Sequence, residues 1–304
     1  MDEISFKRPQ LEDRELIQGY FNGLKRYSCE WTFANFYLWS RFFGAMWAVI
    51  DGLLVFRSGY EGSYSYTFPI GEGDHRAVLE RLMAEAKAAG SPFRMHSLSR
   101  EDAGVLEQYF PGQFEVEWMR DYADYVYETE KLIRLSGKKY HGKKNHINQF
   151  KAQYPDWSYE PITDDNVEEC FQMALRWRIE NGCEADPEKN QEMCVSMNSL
   201  RLYKELGLKG GLLRAEGRIV AFTLGEPIGS SDAFVVHIEK AYADVRGAYP
   251  MINQQFLEHE VSAYRYVNRE DDTGDEGLRR AKESYHPAFL VEKGYARLNG
   301  EYHE

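Results

Sequence analysis

The chain has 304 residues, which is enough for two domains of ordinary size, and 43% of them are apolar, which is enough for packed cores. No apolar run is long enough to span a bilayer, because the longest candidate, residues 42–56, is interrupted by Asp51 and Gly52. At a net charge of −12, no DNA partner is expected.

The N-terminal half is predicted to alternate strands and helices. Leu16, Ile17 and Phe21 recur with helical spacing, and Asp51-Gly52 between two apolar runs predicts a hairpin. In chain order we predict a strand near 4–8, a helix at 12–21, the hairpin at 47–59, a strand at 64–70, a helix at 75–90, a strand at 92–98, a helix at 100–110 and extended structure at 114–128.

A similar order of elements returns in the C-terminal half. We predict a strand at 157–162, a helix at 164–182 capped by Asp164 or Asp165, a helix at 190–207, a hairpin at 210–229 turning at Glu216-Gly217, a strand at 232–241, a helix at 249–263, a strand at 264–270, a helix at 275–285 and a terminal strand at 289–298. The predicted fold class is α/β (α+β), with two modules of mixed sheets flanked by helices. The expected domains are residues 1–135, a basic bridging helix at 136–155, and residues 156–304, which hold the cleft.

Residues 131–151 carry seven Lys or Arg and no Asp or Glu, so the remainder of this −12 chain sums to −19. On a helix, four lysines of this segment spread over about half the circumference. They form a broad patch that suits a phosphate backbone, although a solvated helix face is the alternative (Lys138, Lys139, Lys143 and Lys144).

Neither export nor metal binding is expected. The N-terminus lacks a basic segment followed by an apolar one, which predicts a cytoplasmic protein. The four cysteines lack the paired spacing of metal ligands, and His141 and His146 are five residues apart, a poor fit to a helical metal pair.

The order of elements after residue 157 resembles the Gcn5-related N-acetyltransferase (GNAT) superfamily, as do "DVRGAYPMIN", "AKESY" and "EKGY". The resemblance implies that donor phosphate binds at the helix N-terminus after the central strand (Arg246, Gly247, Ala248 and Tyr249). Tyr249 and Met251 stand where that family has small residues, which disfavours an ordinary acetyl-coenzyme A pocket. Tyr285, four residues after Ala281, matches the tyrosine that protonates the leaving group.

A closer resemblance covers most of the chain. "LSGKKYHGKKNHINQF", "HIEKAY", "RGAYPMIN", "NREDD" and "GLRRAKESYHP" are similar to soluble relatives of the phosphatidylglycerol lysyltransferase C-terminal domain, a tandem GNAT fold. This resemblance implies aminoacyl-tRNA as donor. The lipid substrate is not expected to carry over, since no membrane-spanning half is present in this sequence.

The remaining candidate residues are one histidine, three acids and one lysine. His237 and Glu239 lie two apart on a predicted strand and therefore share one face, which makes both catalytic candidates. Glu239 could take the proton of an attacking amine or bind its ammonium form, and a hydrogen-bonded core residue is the alternative for His237. Asp271 and Asp272 are candidates for binding a cationic amino group, and Lys282 for neutralising donor phosphate. A surface ion pair is the alternative for Glu239, and pairing with local acids for Lys282.

The leading hypothesis is direct transfer of an acyl or aminoacyl group to an amine or hydroxyl, with no activated Ser or Cys nucleophile and no metal. The donor is open: aminoacyl-tRNA is favoured by the resemblance and the basic segment, and a small acyl-coenzyme A donor by the acidic remainder. The alternatives are a non-catalytic protein that binds an anionic ligand on the same fold, and a structural partner protein.

Overall fold

The computed structural model describes residues 4–300. Its α-helices are α1 (Arg14–Asn22), α2 (Phe33–Phe43), α3 (His75–Ala88), α4 (Arg100–Tyr109), α5 (Thr129–Arg134), α6 (His141–Gln153), α7 (Val167–Glu180), α8 (Pro187–Arg201), α9 (Ala248–Phe256) and α10 (Glu276–Glu283). Its strands are β1 (Met46–Ile50), β2 (Leu53–Tyr60), β3 (Ser63–Tyr66), β4 (Arg94–Leu98), β5 (Phe114–Trp118), β6 (Asp124–Glu128), β7 (Ser158–Pro161), β8 (Lys209–Ala215), β9 (Arg218–Pro227), β10 (Ala233–Ala241), β11 (Tyr266–Asn268), β12 (Phe289–Val291) and β13 (Gly294–Leu298).

The strands form two mixed sheets. The smaller has the order β1-β2-β3-β4-β13-β5, and the larger has the order β12-β6-β11-β10-β9-β8-β7. With helices against both sheets, the predicted α+β class, two mixed sheets flanked by helices, is confirmed.

Each sheet contains a strand from the other half of the chain. β6, before residue 135, pairs with β11 and β12 in the larger sheet, and β13, near the C-terminus, lies between β4 and β5 in the smaller one. The predicted terminal strand at 289–298 is therefore two strands, separated at Glu292 and Lys293. Each sheet thus contains strands from both sides of the expected domain boundary at residue 135.

Both hairpins turn where the sequence predicted. Asp51 and Gly52 have φ of +50° and +84°, and Glu216 and Gly217 have +51° and +72°. Two successive residues with positive φ give the turn twist that matches paired strands.

The structure also differs from the sequence predictions at other places. Residues 4–8 form no strand, since only Lys7 bridges to Trp47. The helix α2 was not anticipated, because its run of aromatic residues has no polar face. The cap of α7 is Asn166, not Asp164 or Asp165.

The larger core lies beneath the larger sheet, and α6 and α9 pack against each other on it. The smaller sheet has its own core with α3 and α4. This arrangement brings α6, the end of β10 and the residues after β11 and α10 to one place.

Candidate functional site

The two central strands of the larger sheet separate where the candidate site begins. β10 and β11 run parallel and pair at three positions, ending at Val235 and Asn268. The chain then turns towards β6, since the Arg269 amide donates to the Tyr125 carbonyl (3.0 Å), while β10 continues to Ala241. A wedge therefore opens between β10 and the residues that follow β11.

The loop before α9 packs tightly against α6. Gly247 has a φ of +83°, and a Cβ there would lie 2.4 Å from the His146 carbonyl oxygen. The glycine therefore serves helix packing as well as the turn. The Ala248 amide already donates to a carbonyl within the loop, and Pro250 has no N–H. At most Gly247 and Tyr249 can offer amides to a ligand.

Arg246 and Tyr249 lie on the surface of this loop. Arg246 is exposed, and Tyr249 is 38% exposed. The Tyr249 hydroxyl contacts the Ala241 backbone and the Trp177 side chain, and burial raises the pKa of this hydroxyl. The ring thus covers part of the corner where a small residue would leave room. Phosphate binding by this loop stays a prediction.

Glu239 and Arg269 bridge the wedge. Arg269 Nη2 donates to Glu239 Oε1 at 2.8 Å, and the two side chains are 14% and 12% exposed. Asn253, on α9, donates to the other Glu239 oxygen at 3.3 Å. Within residues 4–300, the buried Arg269 Nη1 has no hydrogen-bond partner. The guanidinium also interacts with the Tyr285 hydroxyl, so Arg269 joins Glu239 and Tyr285 in the wedge and can bind an acceptor oxygen there.

Tyr285 lies between two cations. Its ring centroid is 4.9 Å from Arg269 Cζ and 4.0 Å from Lys143 Nζ. Burial raises the pKa of Tyr285 to about 12, so the phenol keeps its proton at neutral pH. Burial, followed by the neighbouring Arg269, lowers the pKa of Lys143. Two cations around one carboxylate, Glu239, favour an anionic ligand.

His237 is held between two carboxylates. Its Nδ1 lies 2.7 Å from Glu270 Oε1, and its Nε2 lies 3.1 Å from Glu226 Oε1, which also accepts the Ala34 amide (3.1 Å). Burial by itself lowers the pKa of His237, but the hydrogen bonds to Glu226 and Glu270 outweigh burial and raise it to about 10. His237 is therefore an imidazolium that positions Glu270, since neither ring nitrogen is free to act as a base.

Glu270 has a strained backbone at the mouth of the wedge. Its φ is +58°, and the Asn268 side-chain oxygen accepts its amide at 2.6 Å. A residue with a side chain rarely adopts this conformation outside places where the surroundings enforce it, and such places are often functional. The Glu270 carboxylate is 27% exposed and can reach a ligand.

An acidic cluster around Lys293 lies beside Glu270. Lys293 Nζ is 2.7 Å from Asp124, 2.6 Å from Glu30 and 3.8 Å from Asp271. Although burial lowers the pKa of Lys293, Asp124, Cys29, Glu30 and Asp271 together outweigh burial and raise it. Burial raises the pKa of Asp271 to about 6, against the opposing effect of Lys293. The three acids outnumber this ammonium, and the Lys282 ammonium also interacts with Asp124 and Asp271.

Asp272 and Lys282 are occupied by the protein itself. Arg279 and the Tyr125 hydroxyl donate to the fully buried Asp272, and the Arg279 hydrogen bond holds the pKa of Asp272 well below its usual range. The Lys282 ammonium donates to the backbone carbonyls of Arg269 (2.6 Å) and Asp271. These contacts favour structural roles for Asp272 and Lys282, and leave Asp271 as the better candidate for binding a cation.

The basic segment lies next to the wedge. Three of its lysines are exposed on the first turns of the helical segment, while Lys143 is half-buried against Tyr285 (Lys138, Lys139 and Lys144). Because Gly247 packs on α6, this patch and the exposed Arg246 lie on adjoining elements. The structure thus brings together two anion-binding candidates that are about a hundred residues apart in the sequence.

The residues that sequence reasoning missed are Arg269, Glu270 and Glu226. "NREDD" drew attention only to its last two acids, although Arg269 and Glu270 come first after the strand. In hindsight, the end of β11 was the available signal, because side chains just beyond a splayed strand face the wedge. Glu226 had no such signal, since its partner His237 lies on the neighbouring strand.

A family model described as "Phosphatidylglycerol lysyltransferase, C-terminal" matches residues 21–296. A conserved protein of unknown function from Bacteroides thetaiotaomicron is 38% identical, with a TM-score of 0.92, and the match covers 98% of this chain and all of that one. The C-terminal domain (DUF2156) of a putative lysylphosphatidylglycerol synthetase from Agrobacterium fabrum has a TM-score of 0.68 at 15% identity, covering 95% of this chain and 92% of that one. The second likeness shows the fold alone.

An uncharacterised protein of Mycoplasmoides gallisepticum is 26% identical over 194 residues, which is 62% of this chain. The match spans 61% of that curated relative's length. Among residues 4–300, no helix has both the length and the apolarity that crossing a membrane requires.

Proposed function

Because the chain belongs to the phosphatidylglycerol lysyltransferase C-terminal family, we propose that it is an aminoacyltransferase that works in the wedge between β10 and β11. The donor is an aminoacyl ester on tRNA, and the acceptor is an amine or a hydroxyl. Acyl-coenzyme A is the less favoured donor.

One observation carries this proposal: Lys143 and Arg269 converge on the Tyr285 ring, with Glu239 as the nearby carboxylate, where the two strands part. The Arg269 guanidinium and the half-buried Lys143 ammonium together suit a phosphate or a developing oxyanion. A protonated phenol at the same point suits proton donation to a leaving oxygen.

The transfer needs no enzyme-bound intermediate, because each bond that forms is matched by one that breaks. The acceptor nitrogen attacks the ester carbonyl, the bond from the carbonyl carbon to the ribose oxygen breaks, and an amide and a free hydroxyl result. Tyr285 gives its proton to the leaving oxygen. Glu239 takes the proton of the attacking nitrogen, although its ion pair with Arg269 weakens it as a base. Glu270 is the alternative base, since His237 fixes its carboxylate beside the wedge.

The aminoacyl donor is supported by charge on both sides of the wedge. The exposed lysines of α6 and its preceding turn can contact the tRNA backbone without reading its sequence. The acids near Lys293, with Asp271 and Glu270, can bind the ammonium of the amino acid. An ordinary acyl group carries no positive charge for such acids to bind, which is why aminoacyl-tRNA is the preferred donor.

The test combines donor binding with turnover. We expect the protein to retain labelled aminoacyl-tRNA at low salt and to release it as salt rises, because the contacts are with phosphates. Lys143→Gln should weaken retention about tenfold, as loss of a charged contact does. Lys87→Gln, at an exposed lysine on α3, is the matched control and should bind as the unchanged protein does.

Tyr285→Phe separates an enzyme from a binding protein. We expect roughly a hundredfold or greater loss of transfer with donor retention unchanged, since a general acid contributes that much. Tyr122→Phe, at an exposed tyrosine, is the control. Retention of a donor without transfer to any amine or hydroxyl would favour an anion-binding protein, and failure to retain either donor would contradict both versions.

A further inference from the structure

A second polar cleft lies away from the wedge, where the two halves of the chain meet. It has a volume of about 280 Å³ and lies between the segment before α1, the end of α2 and the helix α8. Its lining shares no residue with the wedge. Its lining includes Arg8, Tyr37, Arg41, Tyr60 and Asn198.

The charge of this cleft is opposite to that of the chain. Two of its eleven lining residues are arginines and none is Asp or Glu, although acids outnumber Lys and Arg by 49 to 37 in the whole sequence. In the part of the chain that the structure describes, neither Arg8 nor Arg41 makes an ion pair with a carboxylate. A charge balance of this kind favours an anion from outside the protein.

The contacts of Arg41 support the same reading. Its Nη2 lies 2.6 Å from Cys194 Sγ, and its Cζ lies 4.6 Å from the Phe42 ring centroid. A thiol is a weak hydrogen-bond acceptor. The cation–π contact with the ring uses none of the guanidinium N–H groups as a hydrogen-bond donor. The two contacts hold the guanidinium in place while most of its N–H donors stay unused.

We propose that this cleft binds a phosphate monoester through Arg8 and Arg41. Guanidinium groups match phosphate oxygens in pairs, and two of them balance a dianion. Tyr60 stands at the cleft, 65% exposed, with its hydroxyl anchored on the Phe42 carbonyl (3.0 Å), so its ring face is open to an organic group attached to the phosphate. Asn198 brings α8 into the same site.

This ligand would connect the two halves of the chain. Arg8, Arg41 and Tyr60 belong to the N-terminal half, whereas Asn198 belongs to α8 of the C-terminal half, against which α2 packs. A bound phosphate therefore stabilises the contact between α2 and α8. Binding should raise the unfolding temperature as ligand concentration rises.

The test uses isothermal titration calorimetry on the full chain at constant ionic strength. The probes are inorganic phosphate, glycerol phosphate and adenosine monophosphate. We expect one site, and the double variant Arg8→Gln/Arg41→Gln should weaken it by roughly tenfold or more, as expected for charge-assisted hydrogen bonds. Arg76→Gln, which removes an exposed pair with Glu80 and a contact with the Phe110 ring, neither of them in the cleft lining, should bind as the unchanged protein does.

Further titrations identify the ligand's source and distinguish this site from the wedge. If adenosine monophosphate binds more tightly than inorganic phosphate and this advantage is lost in Tyr60→Ala, the ligand is a nucleotide whose ring lies on Tyr60. If the three probes bind with equal affinity, the ligand is free phosphate. Lys143→Gln, in the wedge, should leave this binding unchanged. No heat of binding at millimolar probe, or the same affinity in the double variant, overturns the proposal. Its failure would leave the transferase proposal unaffected, because the two sites share no residue.

Discussion

Replacement of His237 by Gln tests a heavily buried charge network near the wedge. The imidazolium separates Glu226 from Glu270, and the His237 and Glu226 side chains are each 5% exposed. Gln fills a similar volume but carries no charge. The variant therefore leaves two carboxylates near each other without the cation between them.

The magnitude follows from the pKa of His237. A rise from 6.5 to about 10 corresponds to roughly 5 kcal/mol of stability as an upper limit. Removing one partner of a buried ion pair costs about 3–5 kcal/mol, which is of the same size. Because the folded-state pKa is raised, this stability is fully present below pH 6.5 and is lost as pH rises towards 10, at about 1.4 kcal/mol per pH unit.

Urea unfolding followed by circular dichroism, at several pH values from 6 to 9.5, measures this effect. The difference in unfolding free energy between the unchanged protein and His237→Gln should be largest at pH 6 and shrink steadily above it. His141→Gln, at an exposed histidine that begins α6, should show no such difference. A difference that does not change with pH, or one no larger than that of the control, would refute a buried imidazolium.

Three further substitutions test the structure around the wedge. Gly247→Ala should destabilise the protein by about 1–3 kcal/mol in urea unfolding, because its Cβ would meet the His146 carbonyl at a positive φ, whereas Gly142→Ala, with open space around it, should be neutral or slightly stabilising. The raised pKa of Asp271 means that its ionisation opposes folding from about pH 4 to 6, so stability should fall over that window by up to about 3 kcal/mol; an unchanged pH profile in Asp271→Asn would contradict this. Lys293→Met leaves a cluster of buried acids unpaired and should lower the unfolding free energy by about 3–5 kcal/mol, and a loss below 1 kcal/mol would show that the ammonium is dispensable.

Local structure in this protein is largely determined by local sequence. The hairpins at Asp51-Gly52 and Glu216-Gly217 and the helix α3 lie where the sequence predicts them, because turn residues and helical spacing act over a few residues. The basic segment also follows from the sequence, as does the location of His237 and Glu239 on one strand. The aromatic helix α2 did not, since large apolar residues occur on all its sides and leave no periodic signal, although only Phe33, Ala34 and Leu38 are buried.

The sequence by itself determined the family, the order of most elements and the position of the splayed strands. Only the tertiary structure decided which distant residues meet. The exchange of β6 and β13 between the sheets places Lys293 against Asp124 and Glu30. The same folding sets Arg269 across from Glu239. Such contacts depend on strand pairing between segments more than a hundred residues apart in some cases, and no local propensity encodes that pairing.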